Sequence, residues 1–425
     1  MKRLHSLLAS LALGLAVCFG SGDASAEPAT LKLWTLLSAQ TTDPRSAALQ
    51  SIVEDFNKSQ SDYRVEIQFI DFARIDNMVI QATAASQGPD IVNVYSDLLP
   101  MHVAAKTLMP LDKYLNTLSD GERNDFVLPL KFMTFGNQVM ALPWDSRVWL
   151  LWYRSDLLEK SGQKLPQTLE ELGRVCGEMT TEQVMGFGMG ASDAQLGAGL
   201  IETFIPLLWG AGGDMLDSKG QAVFNSPAGV KTLEYLRDLI TKYKAMRPNV
   251  VSMSADDVLS GIKAGTIAAT FQGSHRVSAG RAAAATGDNL KTVPIPGWTA
   301  DKPTPARLAG QTLAIGTGSK HPDGAWKFIL FHLGKESQLK FARAGVMPSR
   351  RSTYDDAFFT DSPVGKEMKN WSVYAAQYGR MESMPQDYPK LVTPLVHAVQ
   401  EVLVSGKDPK TSLDAAAAQY NALHK

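Results

Sequence analysis

Leu31-Lys-Leu-Trp-Thr-Leu36, Arg64-Val-Glu-Ile-Gln-Phe-Ile70 and Asp90-Ile-Val-Asn-Val-Tyr95 each carry the apolar, β-branched and aromatic residues of a strand. Between them, residues 46–58 and 75–86 place apolar side chains at helical spacing. Gly88-Pro89 punctuates the entry to the third strand. Strand, helix, strand, helix, strand in that order predicts a parallel sheet covered by helices, the α/β class.

The same alternation continues in looser form. Val148-Trp-Leu-Leu-Trp-Tyr153 reads as a long apolar strand and Ile267-Ala-Ala-Thr-Phe271 as a short buried one. Thr168, with Glu171 three residues on, predicts a capped helix start. Residues 202–210, 228–243 and 255–264 read as helices, as do 322–333, 336–345, 388–406 and 410–423. Four prolines and a glycine over 293–305 predict a loop or crossover. A chain of 425 residues exceeds one compact core, so two lobes are expected.

Composition narrows the function. Lys and Arg total 42 against 43 for Asp and Glu, which removes the basic excess that nucleic-acid or membrane-surface binding needs. The N-terminus joins Lys2-Arg3 to an apolar run from Leu7 to Phe19 and to Ala24-Ser25-Ala26. That is the layout of a cleavable export signal covering 1–26, with cleavage after Ala26. The bulky Val17 before Cys18 argues for a free exported protein over a lipoprotein. Cys176 is then the only cysteine, no internal disulfide can form, and its helical apolar context makes it a small buried hydrophobe.

Catalytic signatures are absent: no Gly-x-Ser-x-Gly, His-Glu-x-x-His, P-loop or Cys-x-x-Cys occurs. No histidine pair has metal-ligand spacing on one helix, so neither metal nor cofactor is expected. Gly186-Phe-Gly-Met-Gly-Ala191 lacks the acidic partner of a dinucleotide fingerprint and reads as a Gly-rich strand. What recurs instead is a set of polar and aromatic residues just after strands, where open α/β sheets hold their ligands. These are Ser38, Gln40 and Thr41; Phe72 and Arg74; Tyr95, Ser96 and Asp97; Trp144, Asp145 and Arg147; and Gln272, Gly273, Ser274 and His275.

An ordered series of motifs spans the chain past the leader: Leu31-Lys-Leu-Trp-Thr, Phe56-Asn-Lys-Ser-Gln, Gly88-Pro-Asp-Ile-Val, Leu108-Met-Pro-Leu-Asp, Ala141-Leu-Pro-Trp-Asp-Ser-Arg, Leu165-Pro-Gln-Thr-Leu-Glu-Glu-Leu, Trp209-Gly-Ala-Gly-Gly-Asp, Phe271-Gln-Gly-Ser and Gly345-Val-Met-Pro-Ser-Arg. It resembles family 1 extracellular solute-binding proteins of ABC importers, in the sugar-binding branch that includes maltose-binding protein. The resemblance implies a two-lobe periplasmic binding protein fold of type II with the ligand cleft between lobes. Lobe 1 would comprise 27–143 plus about 293–340, and lobe 2 would comprise 144–292 plus about 341–425. It implies a periplasmic, non-enzymatic monomer that captures a carbohydrate or polyol and delivers it to inner-membrane permease subunits. The positions it carries over are Gln40, Thr41, Ser96, Asp97, Trp144, Asp145, Arg147, Trp209, Gln272, Gly273, His275, Gly310 and Gln311. His275 stands where some relatives place a stacking Trp, which suits a smaller or differently shaped ligand.

Two alternatives stay open at this point. Arg74, Arg147 and Arg350 would serve glycerol-3-phosphate or another anionic polyol derivative. Asp97 and Asp145 would serve as the acid/base pair of a secreted glycoside hydrolase.

Overall fold

In the computed structural model of the protein, the described residues are 27–38, 43–382 and 384–424. The expected export signal over 1–26 and the expected site residues Gln40 and Thr41 lie outside them.

Ala29–Thr35, Tyr63–Phe69 and Ile91–Tyr95 form the parallel strands predicted, ordered with Ala29–Thr35 in the middle. The helices Pro44–Ser59 and Ile75–Ala84 connect them. Two further strands arrive antiparallel: Gln311–Ile315 beside Ile91–Tyr95, then Leu142–Pro143 at the edge. Leu31, Leu33, Ile52, Phe56, Val65, Ile91 and Leu313 pack with Phe328 and Phe341 into the core on one face of this sheet.

The second sheet is organised on one strand, Asp145–Arg154, buried along nearly all of its ten residues. Met347–Pro348 pairs with its first two residues, and Ala306–Ala309 pairs at Arg147 and Val148. Ile267–Gly273 pairs from Trp149 to Tyr153, and Leu290–Val293 covers the other edge from Leu151 to Arg154. Met185–Gly188, the Gly-rich strand, closes one end of the sheet, and Gly379–Arg380 the other. The strand is buried along both faces, which explains the uninterrupted Val148 to Tyr153 run.

The local signals behave as their chemistry requires. Thr168 Oγ1 accepts from the Glu171 N–H at 3.1 Å and starts the helix Leu169–Met179, where Cys176 is fully buried. Glu171 turns its own carboxylate to the Gln167 N–H instead of closing a reciprocal box. The 293–305 stretch is free of helix and strand beyond Val293, as its prolines predict. Ala306–Ala309 still belongs to the second sheet, so the chain changes sheets at Gly310. Among the described residues no helix is long and apolar enough to cross a membrane.

Candidate functional site

Alternation along Asp145–Arg154 puts Asp145, Arg147 and Trp149 on one face of the strand. That face, the ends of the first-sheet strands and the start of the helix Ala198–Gly210 border a cleft of about 230 Å³. Phe72, Tyr95 and Gln311 line it from the first sheet, and Arg147, Trp149 and His275 from the second. Gln195, Glu202, Asp256 and Arg276 complete the wall on the second side, and Arg45 that on the first.

Charge in and behind this cleft is paired. Arg147 donates twice to Asp145 Oδ2, at 2.9 and 2.8 Å, while Asp145 Oδ1 accepts from the Gln311 N–H at 2.5 Å. Arg307 pairs with Asp97, donates to Tyr95 Oη at 3.2 Å, and lies 4.3 Å from the Trp149 ring centre. Arg276 pairs with Asp256 at 2.7 Å and Arg45 with Asp43 at 2.6 Å. Burial raises the Asp97 carboxyl pKa, with Arg307 pulling the other way.

Other polar groups have no such partner. Trp149 Nε1, His275 Nδ1, Gln195 Oε1 and Gln311 Nε2 are buried and make no hydrogen bond among the described residues. Glu202, 8 % exposed, forms no salt bridge among the described residues; burial raises its pKa, against the pull of Arg276 and Arg307. The Trp149 N–H faces Glu202 closely enough to favour its charge without meeting full hydrogen-bonding geometry. Burial, then Arg147, Arg276 and Arg45, depress His275 far below the usual imidazole range, so its ring is neutral. No group of three or more His, Cys, Asp or Glu suited to a metal ion occurs among the described residues.

The structure sorts the sequence-derived positions into three groups. Phe72, Tyr95, Arg147, His275 and Gln311 line the cleft. Behind them, Ser96 Oγ accepts from the Gly310 N–H at 3.2 Å, and Asp97 and Asp145 are each held by an arginine. Gly273 presses so closely on His275 that an added Cβ would sit 2.6 Å from its ring. Gly310 leaves equally little room against Asp145.

Five of the expected positions lie away from the cleft wall. Trp144 points into the first core, its ring 4.6 Å from that of Phe341, because neighbouring residues of an extended chain face opposite ways. Trp209 lies under Arg380 at 4.6 Å in a separate groove with Trp298 and Tyr378. The Gln272 side chain turns back toward Ala255. Arg74 is exposed at the start of Ile75–Ala84, outside the cleft. Arg350 serves backbone carbonyls of Leu333 and Glu122 and covers Phe126. Asp97 and Asp145 are both tied to arginines behind the cleft wall and are not set out as an acid/base pair.

Trp149, Glu202 and Arg307 were absent from the sequence-derived set. Trp149 is signalled by the i, i+2, i+4 relation to Asp145 and Arg147, and Glu202 by being the single charge within Ala198–Gly210. Arg307 has no comparable local signal.

Comparison with known proteins agrees with this architecture. The sequence model of the bacterial extracellular solute-binding protein family matches residues 39–339. A probable ABC transporter-binding protein of Deinococcus radiodurans is 25% identical over 235 residues, 52% of this chain and 54% of that protein. The match thus spans about half the length of that relative. The diacetylchitobiose binding protein DasA of Streptomyces coelicolor is 22% identical over 366 residues, 81% of each chain. The maltose-bound T. maritima MalE3 structure superposes with a TM-score of 0.79 at 23% identity, covering 93% of this chain and all of that one. The fold is thus the two-lobed, type II periplasmic binding protein fold. The chain belongs to the bacterial extracellular solute-binding protein family, and is a binding protein and not an enzyme.

Proposed function

We propose that the chain captures a neutral carbohydrate or polyol between its lobes and delivers it to the permease of an ABC importer. It does so as a periplasmic monomer released from its export signal after Ala26. The lobes divide at 143–145, at Gly310 and near Gly345, where the chain passes between the two sheets.

One observation carries the reading. Each arginine of the cleft is ion-paired with a carboxylate, and the buried atoms left without a hydrogen bond are mostly neutral: Trp149 Nε1, His275 Nδ1, Gln195 Oε1 and Gln311 Nε2, beside Arg276 Nη1. An anionic ligand would need a cation that is not already paired. A polyhydroxylated neutral one needs this mixture, because each hydroxyl both donates and accepts. Phe72 and Tyr95 on one wall, with Trp149 and His275 on the other, suit the apolar C–H faces of a sugar ring. Relatives named for maltose and diacetylchitobiose support the same class.

A thermal-shift screen over sugars, pentitols and phosphorylated polyols tests it. A neutral sugar or polyol at a hundredfold excess over its Kd stabilises the protein by about 2.7 kcal/mol. A shift confined to phosphorylated polyols overturns the neutral reading.

A further inference from the structure

The helix Ala198–Gly210 is entered through three consecutive left-handed residues: Gln195 at φ 54°, Leu196 at φ 56° and Gly197 at φ 70°. Residues with side chains visit this region rarely and singly, so two in a row are held by their surroundings. Two contacts hold them here. Gly197 is wedged on the helix Tyr388–Ser405, where an added Cβ would lie 2.5 Å from Val392 and 3.0 Å from Val396. From the other side, Gln195 Nε2 donates to Asp256 Oδ2 at 2.5 Å, and Asp256 is itself fixed by Arg276.

The outcome is a fixed amide orientation. With its NH2 committed to Asp256, Gln195 leaves its carbonyl oxygen, Oε1, as a buried acceptor with no partner among the described residues, in the wall of the cleft. A buried acceptor without a donor is costly, and a strained turn that maintains one points to use by a ligand.

We propose that Gln195 is a specificity-determining residue whose Oε1 accepts a hydrogen bond from one hydroxyl of the bound carbohydrate. This rests on the carbohydrate reading above and adds a selection rule to it. Glu202, a carboxylate, rewards any donor nearby. Gln195, clamped at both ends, rewards a hydroxyl at one position and penalises its absence. Asp256 and Arg276 act as positioning residues, since they set which way the amide faces.

The test is titration calorimetry on the full mature protein with maltose, N,N′-diacetylchitobiose, xylose and xylitol, then with monodeoxy analogues of whichever binds. Gln195→Met keeps the length of the side chain and removes both amide functions. Gln195→Ala keeps the test available if the Met variant fails to fold. The wild type should prefer the parent sugar over one particular monodeoxy analogue by about tenfold, as expected for one hydrogen bond. Either variant should lose that one preference while retaining the others. Unchanged affinity, or a parallel loss toward the parent and all analogues, would overturn the proposal. No binding of any of the four probes by the wild-type protein would overturn the carbohydrate reading itself, and the role of Gln195 with it.

Discussion

The guanidinium of Arg307 lies 4.3 Å from the centre of the Trp149 ring while it pairs with Asp97. Arg307 belongs to the second sheet and Asp97 follows a strand of the first, so this buried pair spans the lobes three residues from the crossing at Gly310. Removing one member strands the other as an uncompensated buried charge. Arg307→Met should destabilise the unliganded protein by about 3–5 kcal/mol in urea unfolding. The double variant Arg307→Met, Asp97→Leu should recover much of that loss. Equal destabilisation by single and double variants would show that the packing of Arg307 on Trp149, and not its charge, is what matters.

The first core carries a pH-sensitive element. Burial pushes His332 down to about 3, and its ring sits among those of Trp144, Phe328 and Phe341. The unfolded chain takes up a proton near pH 6.5 where the folded one does not. The associated stability is therefore complete above about pH 6.5 and lost as pH falls toward 3. Its slope is about 1.4 kcal/mol per pH unit. His332→Phe cannot titrate, so its stability relative to wild type should rise by about 2 kcal/mol between pH 6.5 and 5. A constant difference across that range would place the titration elsewhere.

Two aromatic residues should separate stability from affinity. Trp144, 3 % exposed, is a core residue, and Trp144→Ala should cost about 3–5 kcal/mol of stability. Phe72 is half-buried at the cleft, and Phe72→Ala should leave the melting temperature nearly unchanged while weakening sugar binding about tenfold. Reversed outcomes would return Trp144 to the ligand.

Gly310 marks a close approach. A methyl group there would lie 2.5 Å from the Asp145 carbonyl oxygen and 2.8 Å from Leu128. Gly310→Ala should cost about 1–3 kcal/mol in stability. It should also alter the compaction that solution scattering records when sugar is added, because the residue sits where the lobes join.

The first sheet was legible because each of its parallel strands is bounded by turn residues and followed by an amphipathic helix. Ala306–Ala309 was not. It is four residues long, follows a proline-rich stretch, and its pairing with Asp145–Arg154 is a matter of tertiary position. The cleft shows the same division. Arg147 and His275 were found from strand ends, which place side chains at the sheet rim, and Gln311 from the family resemblance alone. Trp149 was hidden inside an apolar run because a residue that contributes to both core and cleft has the composition of core. Arg307 and Asp97 are 210 residues apart, beyond any local pattern. Trp144 could have been excluded by alternation alone, since its neighbour Asp145 faces the other way.

Cys176 is fully buried in the helix Leu169–Met179, with its thiol pushed up by burial. It is the only cysteine after residue 26. Lobe separation alone leaves it covered, because its neighbours are the strand and helices of its own lobe. A thiol reagent can therefore reach it only when that lobe opens internally. Its labelling rate serves as a built-in clock for local unfolding of the second lobe, independent of the opening and closing of the cleft.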